Sequence, residues 1–427
     1  MTRFDSPAYK RSRAAYVAQC TFHYFITLLV SDAFLAKLLS HLGISDALTG
    51  IISSFVSIAF VIQFFSLFLV RVKASRKTIV MVFETISSFC FMLLYLVPLL
   101  PVADEIRTLL VIASVMAAYA GFYLVSSILF KWGNSYVDPG HRGQYSATKE
   151  MISLITGIAF TTAAGYIIDR YEGLGNLTGG FLFIAVSIFI LNVCNFVSLA
   201  LIKRDKPEER KESSQPMGAV LRATAGNKNF RSVIFMTILW DVARYTTIGF
   251  MGIYKTNDLM LSVLTVQIIN MAANFLRMAI SKPFGRYSDR NTYAKGFRMA
   301  LYLAAGAFFI NIFTTPSTWI FVAIFTVLYN CSFAGTNMNS FNIAYSYVDE
   351  QYVTQAMAIK NCIGGLFGFG ASILAGKILA AVQANSNMIL GIPIHGQQLL
   401  SAISFAVTVV LIIYIKQVIE KQHVMRQ

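Results

Sequence analysis

Apolar runs of roughly twenty residues recur from one end of this sequence to the other, separated by short polar connections. Runs of that length match the hydrocarbon thickness of a bilayer, and a chain built from them must satisfy its backbone hydrogen bonds inside helices. They fall at about 15–40, 47–70, 77–99, 107–131, 148–169, 178–202, 231–254, 260–282, 296–314, 317–342, 357–381 and 398–416. Only 13% of the 427 residues are charged, and 56% are hydrophobic, against roughly 25% charged in a soluble domain. Lipid must therefore solvate much of the surface. The expected fold class is an all-α membrane protein of about twelve transmembrane helices. Arg3, Lys10, Arg11 and Arg13 precede the first run, and no small-residue cleavage site follows it, so it reads as a retained helix.

The net charge of +15 would suggest nucleic acid in a soluble protein. Here the cations sit in alternate loops. One set holds Arg71, Lys73, Arg76 and Lys77, then Arg142, then Lys282, Arg286, Arg290 and Lys295; the opposite set holds little beyond Arg107, Arg170 and Lys255. The positive-inside rule puts both termini in the cytoplasm of a multi-pass protein of the cytoplasmic (inner) membrane, with no nucleic-acid partner. Cys20, Cys90, Cys194, Cys331 and Cys362 all lie in apolar runs, without a CxxC or Cys/His cluster, so neither disulfides nor metal are expected. No phosphate-cradling Gly-Lys-Ser/Thr loop occurs, which argues against direct use of ATP, and no cofactor is expected.

The segment Lys203 to Lys228 is the one long polar stretch and reads as a solvated linker. It suggests a division into 1–202, a linker 203–229 and 230–427, with six spans on either side. A repeat supports that division. Ser135-Tyr136-Val137-Asp138 recurs as Ser346-Tyr347-Val348-Asp349, 211 positions later. The same offset pairs Gln144 with Gln355, Lys149 with Lys360, Gly157 with Gly368, and Ala164-Gly165 with Ala375-Gly376. Six spans separate the copies, so the halves share one topology as parallel repeats.

Two six-span halves and a basic central linker resemble the major facilitator superfamily, over essentially the whole chain. Gly285-Arg286-Tyr287-Ser288-Asp289-Arg290, with Lys295 following, resembles that family's cytoplasmic gate motif after the second helix of a half. Gly permits a tight connection there, and Asp with Arg can form a charge-assisted lock. The first-half counterpart, Arg71 to Lys77, lacks both the Gly and the Asp. Asp138-Pro139-Gly140-His141-Arg142-Gly143-Gln144 resembles the family's loop before the fifth helix. The resemblance implies two pseudo-symmetric six-helix bundles, alternating access, and a cavity lined by the first and fourth helices of each half.

On those helices an ionisable residue is costly unless it faces a cavity or a partner. The seventh span carries Trp240, Asp241, Arg244 and Tyr245, with Asp241 and Arg244 three residues apart on one face. A structural ion pair accounts for them as well as solute binding or coupling does. Asp32 and His23 in the first span are further candidates. The tenth span is rich in amides and hydroxyls (Tyr329, Asn330, Ser332, Thr336, Asn337, Asn339), and the eighth carries Gln267, Asn270 and Asn274 at helical spacing. Such groups suit a polar solute, or hydrogen-bond helix to helix. Glu84, Lys149, Glu150 and Lys360 complete the ionisable set.

The favoured function is a monomeric secondary transporter of a small polar organic solute, of sugar or glycoside type, with protons or sodium as a possible coupling ion. Efflux of drugs or amphiphilic metabolites is the alternative. A membrane-embedded sensor or enzyme is disfavoured, because no catalytic carboxylate pair, His-rich site or activated Ser has convincing spacing.

Overall fold

A computed structural model describes residues 6–69, 75–138, 142–204, 226–348, 353–389 and 391–422. Most of the expected linker 203–229 lies outside the described residues, as do Arg71, Lys73 and Asp349.

The described residues are helical almost throughout. Before the linker come α1 (Pro7–Leu29), α2 (Asp32–His41), α3 (Asp46–Ser53), α4 (Phe55–Leu69), α5 (Arg76–Leu96), α6 (Asp104–Asn134), α7 (Arg142–Gly173) and α8 (Leu177–Leu201). After it come α9 (Lys228–Ile253), α10 (Val263–Arg290), α11 (Tyr293–Asn311), α12 (Ile320–Ser346), α13 (Val353–Ala384) and α14 (Gly396–Gln417). A two-residue antiparallel pair, β1 (Met388–Ile389) with β2 (Ile392–Pro393), joins α13 to α14.

Polar residues at the boundaries start these helices. Ser75 accepts the N–H of Thr78 at 3.2 Å, Asn176 that of Gly179 at 3.1 Å, Asn227 that of Phe230 at 3.0 Å and Thr292 that of Lys295 at 3.2 Å. Each satisfies one of the donors that a helix start leaves open. Among the described residues, ten helical segments are long and apolar enough to cross a membrane, or eleven if α1 and α2 form one bent span. The ninth expected span is α11, which carries Lys295 and Arg298. About twelve spans accords with this. Large apolar side chains such as Leu109, Phe189 and Leu374 face outward, as a lipid-facing surface requires.

The first expected span is not straight. α1 and α2 meet at 42° across Val30 and Ser31, and Asp32 holds φ of +47°, the left-handed region. The repeat, in contrast, shows in the helix bounds: α7 and α13 are each 32 residues long and begin and end 211 positions apart.

The described chain separates into two compact units. Unit 1 comprises Met1–Ile44, Ile62–Ser213 and Ser262–Gln267; unit 2 comprises Ser45–Val61, Ser214–Leu261 and Ile268–Gln427. Unit 1 has a core of aromatic and branched side chains around Tyr16, Val80, Val125, Trp132 and Leu199. In unit 2 a larger core gathers Phe230, Trp240, Phe297, Phe308, Phe325 and Tyr329.

Within unit 2, α3 packs on α9 and α13. Small residues make this possible. A Cβ on Gly249 would lie 2.5 Å from the carbonyl oxygen of Gly50, and one on Gly50 would collide with the ring of Phe250. Backbones that close are the usual means by which membrane helices gain packing energy without a hydrophobic driving force.

Candidate solute-binding and coupling site

In unit 2, α9 presents Asp241, Arg244 and Tyr245 on neighbouring turns of one face, the acid and the tyrosine buried and the arginine half-buried. The Nε of Arg244 lies 2.8 Å from Oδ1 of Asp241, in the i,i+3 relation that the sequence predicts. Arg244 Nη2 donates to Tyr245 Oη at 3.2 Å, and the guanidinium stands 4.5 Å from the Tyr245 ring centroid. α13 closes over this face with glycine. A Cβ on Gly364 would strike the Asp241 carboxylate, so the acid is seated directly against helix backbone.

One turn before Gly364, α13 carries Lys360, which is buried and donates to Ser340 Oγ of α12 at 3.1 Å. Lys360 interacts electrostatically with both Asp241 and Arg244. Tyr329, also from α12, lies within electrostatic reach of Arg244, Tyr245 and Asp241. Its ring sits in an aromatic ladder, 5.7 Å from Phe325, 5.0 Å from Phe333 and 5.6 Å from Phe308. The structure thus joins Asp241, Arg244 and Tyr329 with Tyr245, Lys360 and Ser340. A carboxylate, two cations and three hydroxyls can bind a polar solute or hold and release a proton.

Unit 1 has its own buried ionisable pair. His23 Nδ1 of α1 lies 3.1 Å from Oε2 of Glu84 on α5, whose carboxylate is fully buried. Asn195 Nδ2 of α8 approaches the same oxygen at 3.5 Å, and the imidazole stacks on Phe122 of α6 at 4.0 Å. Lys149 of α7, the repeat mate of Lys360, stands 4.7 Å over the ring of Tyr16.

The remaining sequence candidates are placed differently. Trp240 is a core residue packed edge-on against Phe297 at 6.4 Å. Asn330 donates to the Thr326 carbonyl of its own helix at 2.9 Å. Asn337 is exposed, Asn270 and Asn274 are half-buried on α10, and Asp32 is half-buried at the break after α1.

The gate motif also takes a different form. Gly285, Asp289 and Arg290 belong to the last turns of α10 rather than to a loop. A Cβ on Gly285 would meet nothing within 4 Å, so no tight connection requires this glycine. Asp289 and Arg290 are exposed, as is Lys295 at the start of α11. Asp289 lines a cleft with Thr292, Tyr293, Tyr347 and Glu420, and the ion pair in that neighbourhood is Arg298 with Glu420 at 2.8 Å.

Lys360 and Glu84 were visible in the sequence only as members of the ionisable set. Their partners lie 119 and 61 residues away, at Asp241 and His23. The 211-residue register that relates Lys149 to Lys360 was the one available signal.

Among curated proteins no sequence matches significantly. The chain is similar to the crystal structure of the nucleoside transporter NupG, at 14% identity and TM-score 0.68, covering 98% of this chain and 100% of that one. It is similar to a D-xylose–proton symporter at 12% identity and TM-score 0.66, covering 95% and 96%. It also resembles a bacterial homologue of the human lysosomal transporter Spinster, at 12% identity and TM-score 0.65, covering 98% of each chain. At these identities the likeness is one of fold. The sequence profile of the Major Facilitator Superfamily matches residues 16–373. The chain therefore belongs to the Major Facilitator Superfamily and is a transporter rather than an enzyme.

Proposed function

We propose that this carrier takes up a small polar organic solute of sugar or glycoside type across the cytoplasmic membrane, driven by an ion gradient, with protons the first choice. Residues 1–202 and 230–427 would be the rocking halves, joined by 203–229, with both termini cytoplasmic. The observation that carries this reading is the buried Asp241–Arg244–Lys360 cluster, set among the hydroxyls of Tyr245, Tyr329 and Ser340. Charges in mid-helix cost at least ~2.5–3.5 kcal/mol each in a bilayer, so a membrane protein retains them where they face a cavity or one another. Hydroxyls beside them supply the donors and acceptors that a hydrated solute needs when it leaves water. Asp241 is the natural coupling group. Protonation would remove the charge that holds Arg244, and so link proton binding to rearrangement of α9.

Purified protein in liposomes, offered sugars, amino acids, organic acids and dyes under imposed proton and sodium gradients, tests the reading. Accumulation of a sugar or glycoside under a proton gradient is the expected result. Gradient-independent movement, or extrusion of dyes alone, would overturn it.

A further inference from the structure

Among the described residues, the cluster of Asp241, Arg244 and Lys360 sets two cations around one carboxylate. Asp241 is matched by Arg244 at 2.8 Å, and Lys360 is left with the neutral Ser340 hydroxyl as its hydrogen-bond partner. Among the described residues, the charged groups acting on Asp241 are Arg244 and Lys360, and those acting on Lys360 are Asp241 and Arg244. Arg244 and Lys360 thus both act on the carboxylate of Asp241. Lys360 is only 7% exposed, so water does little to solvate its ammonium. A buried cation without its own counter-charge is a strongly unfavourable arrangement that an arriving anion would relieve. The groups around it also suit a particular kind of anion. Ser340, Tyr245 and Tyr329 offer hydroxyls, and α13 sets Gly364 and Gly368, one and two turns from Lys360, directly against the Asp241 carboxylate and the Tyr245 ring.

We propose that the cargo carries one carboxylate, received by Lys360 with Arg244 beside it, so that the solute is a hydroxylated acid of the sugar-acid class. The assignment rests on the reading of α9, α12 and α13 as the solute site. It narrows the cargo from neutral sugars to their acidic counterparts. Arg244 keeps its bond to Asp241, and the carboxylate supplies the missing negative charge at Lys360.

The test uses the full-length protein in liposomes, with D-glucuronate, D-glucose, glucose 6-phosphate and lactate as probes. Counterflow reports transport, and thermal stabilisation of the detergent-solubilised protein reports binding. Glucuronate should be moved and should stabilise the protein at concentrations at least tenfold lower than glucose. Lys360→Met should lose that preference tenfold or more, and Lys360→Arg should keep part of it. Should Lys360→Met fail to fold, Ser340→Ala provides the second variant, with a smaller loss of the same preference. Equal handling of glucose and glucuronate by the wild type, or an undiminished preference in a folded Lys360→Met protein, would overturn the assignment. Movement of glucose 6-phosphate but not glucuronate would overturn the carboxylate. Movement of glucose alone would sink the anion assignment and leave the sugar reading standing. Movement of lactate without either sugar would do the reverse.

Discussion

The carboxylate of Asp169, near the end of α7, accepts the backbone N–H of Leu264 at 2.8 Å through one oxygen and that of Val263 at 3.0 Å through the other. These are the first residues of α10, whose opening turn belongs with α7 in unit 1. Unit 2 has a similar arrangement: Gln383, near the end of α13, donates to Asp46 Oδ2 in the first turn of α3 at 2.7 Å. In each unit the end of a repeat-related helix thus holds the start of a second helix contributed from the other side of the linker. A carboxylate facing a helix start satisfies open donors and complements the positive end of the helix dipole.

Asp169→Ala should therefore lower stability by ~1–2 kcal/mol, the range of a lost helix cap. Asp169→Asn should lose less, because its amide oxygen can still accept one N–H. Thermal unfolding in detergent, with hydrogen exchange at 263–265, reports both. Unchanged exchange at Val263 and Leu264 in Asp169→Ala would show that the cap is dispensable.

Glycines that look alike in the sequence should behave oppositely. Gly249→Ala would force a methyl against the Gly50 carbonyl, and a clash with backbone cannot be relieved by a rotamer change. We expect a loss of ~1–3 kcal/mol, the range for an overpacked core. Gly285→Ala meets open space inside a helix and should gain ~0.5–1 kcal/mol. Melting temperatures of the two variants decide the matter, and a destabilised Gly285→Ala protein would contradict it.

Asp241→Asn leaves Arg244 and Lys360 facing each other without the carboxylate between them. Losing one member of a buried ion pair costs ~3–5 kcal/mol. Adding Lys360→Met should return at least ~1 kcal/mol, since the two changes touch one network. Losses that simply add in the double variant would argue that the groups are uncoupled. In transport, Asp241→Asn should abolish gradient-driven accumulation yet spare counterflow exchange.

For the pair in unit 1, His23→Ala should be more damaging than Glu84→Gln. The first strands a fully buried carboxylate with only the Asn195 amide, at ~3–5 kcal/mol. The second leaves a neutral amide beside an imidazole that can itself be neutral, at ~1–2 kcal/mol. The order of the two melting temperatures is the readout, and the reverse order would refute the arrangement.

The helical content was legible because bilayer thickness fixes run length, and residues such as Ser75, Asn176, Asn227 and Thr292 mark where helices begin. The Asp241–Arg244 contact was legible too, since a three-residue spacing within one helix determines it. Contacts between helices distant in sequence were not. Nothing in the local sequence tells that Lys360 faces Asp241 rather than snorkelling toward a membrane surface, or that Glu84 faces His23. Amide spacing misled for the same reason. Asn330 and Asn339 lie on the amide-rich helix, yet both donate to carbonyls one turn back, Thr326 and Gly335. The gate motif matched by residue type while its glycine stands in open space.

The two units are duplicates in register but not in electrical character. Unit 1 sets its buried carboxylate against an imidazole, which can give up its charge; unit 2 sets its carboxylate against a guanidinium, which cannot. His23 Nδ1 lies 3.1 Å from Glu84 Oε2, so this carboxylate faces a ring that can exist uncharged. Asp241 has at 2.8 Å a guanidinium, which stays charged. One unit thus opposes its buried carboxylate to a group that can be neutral, and the other to a group that cannot.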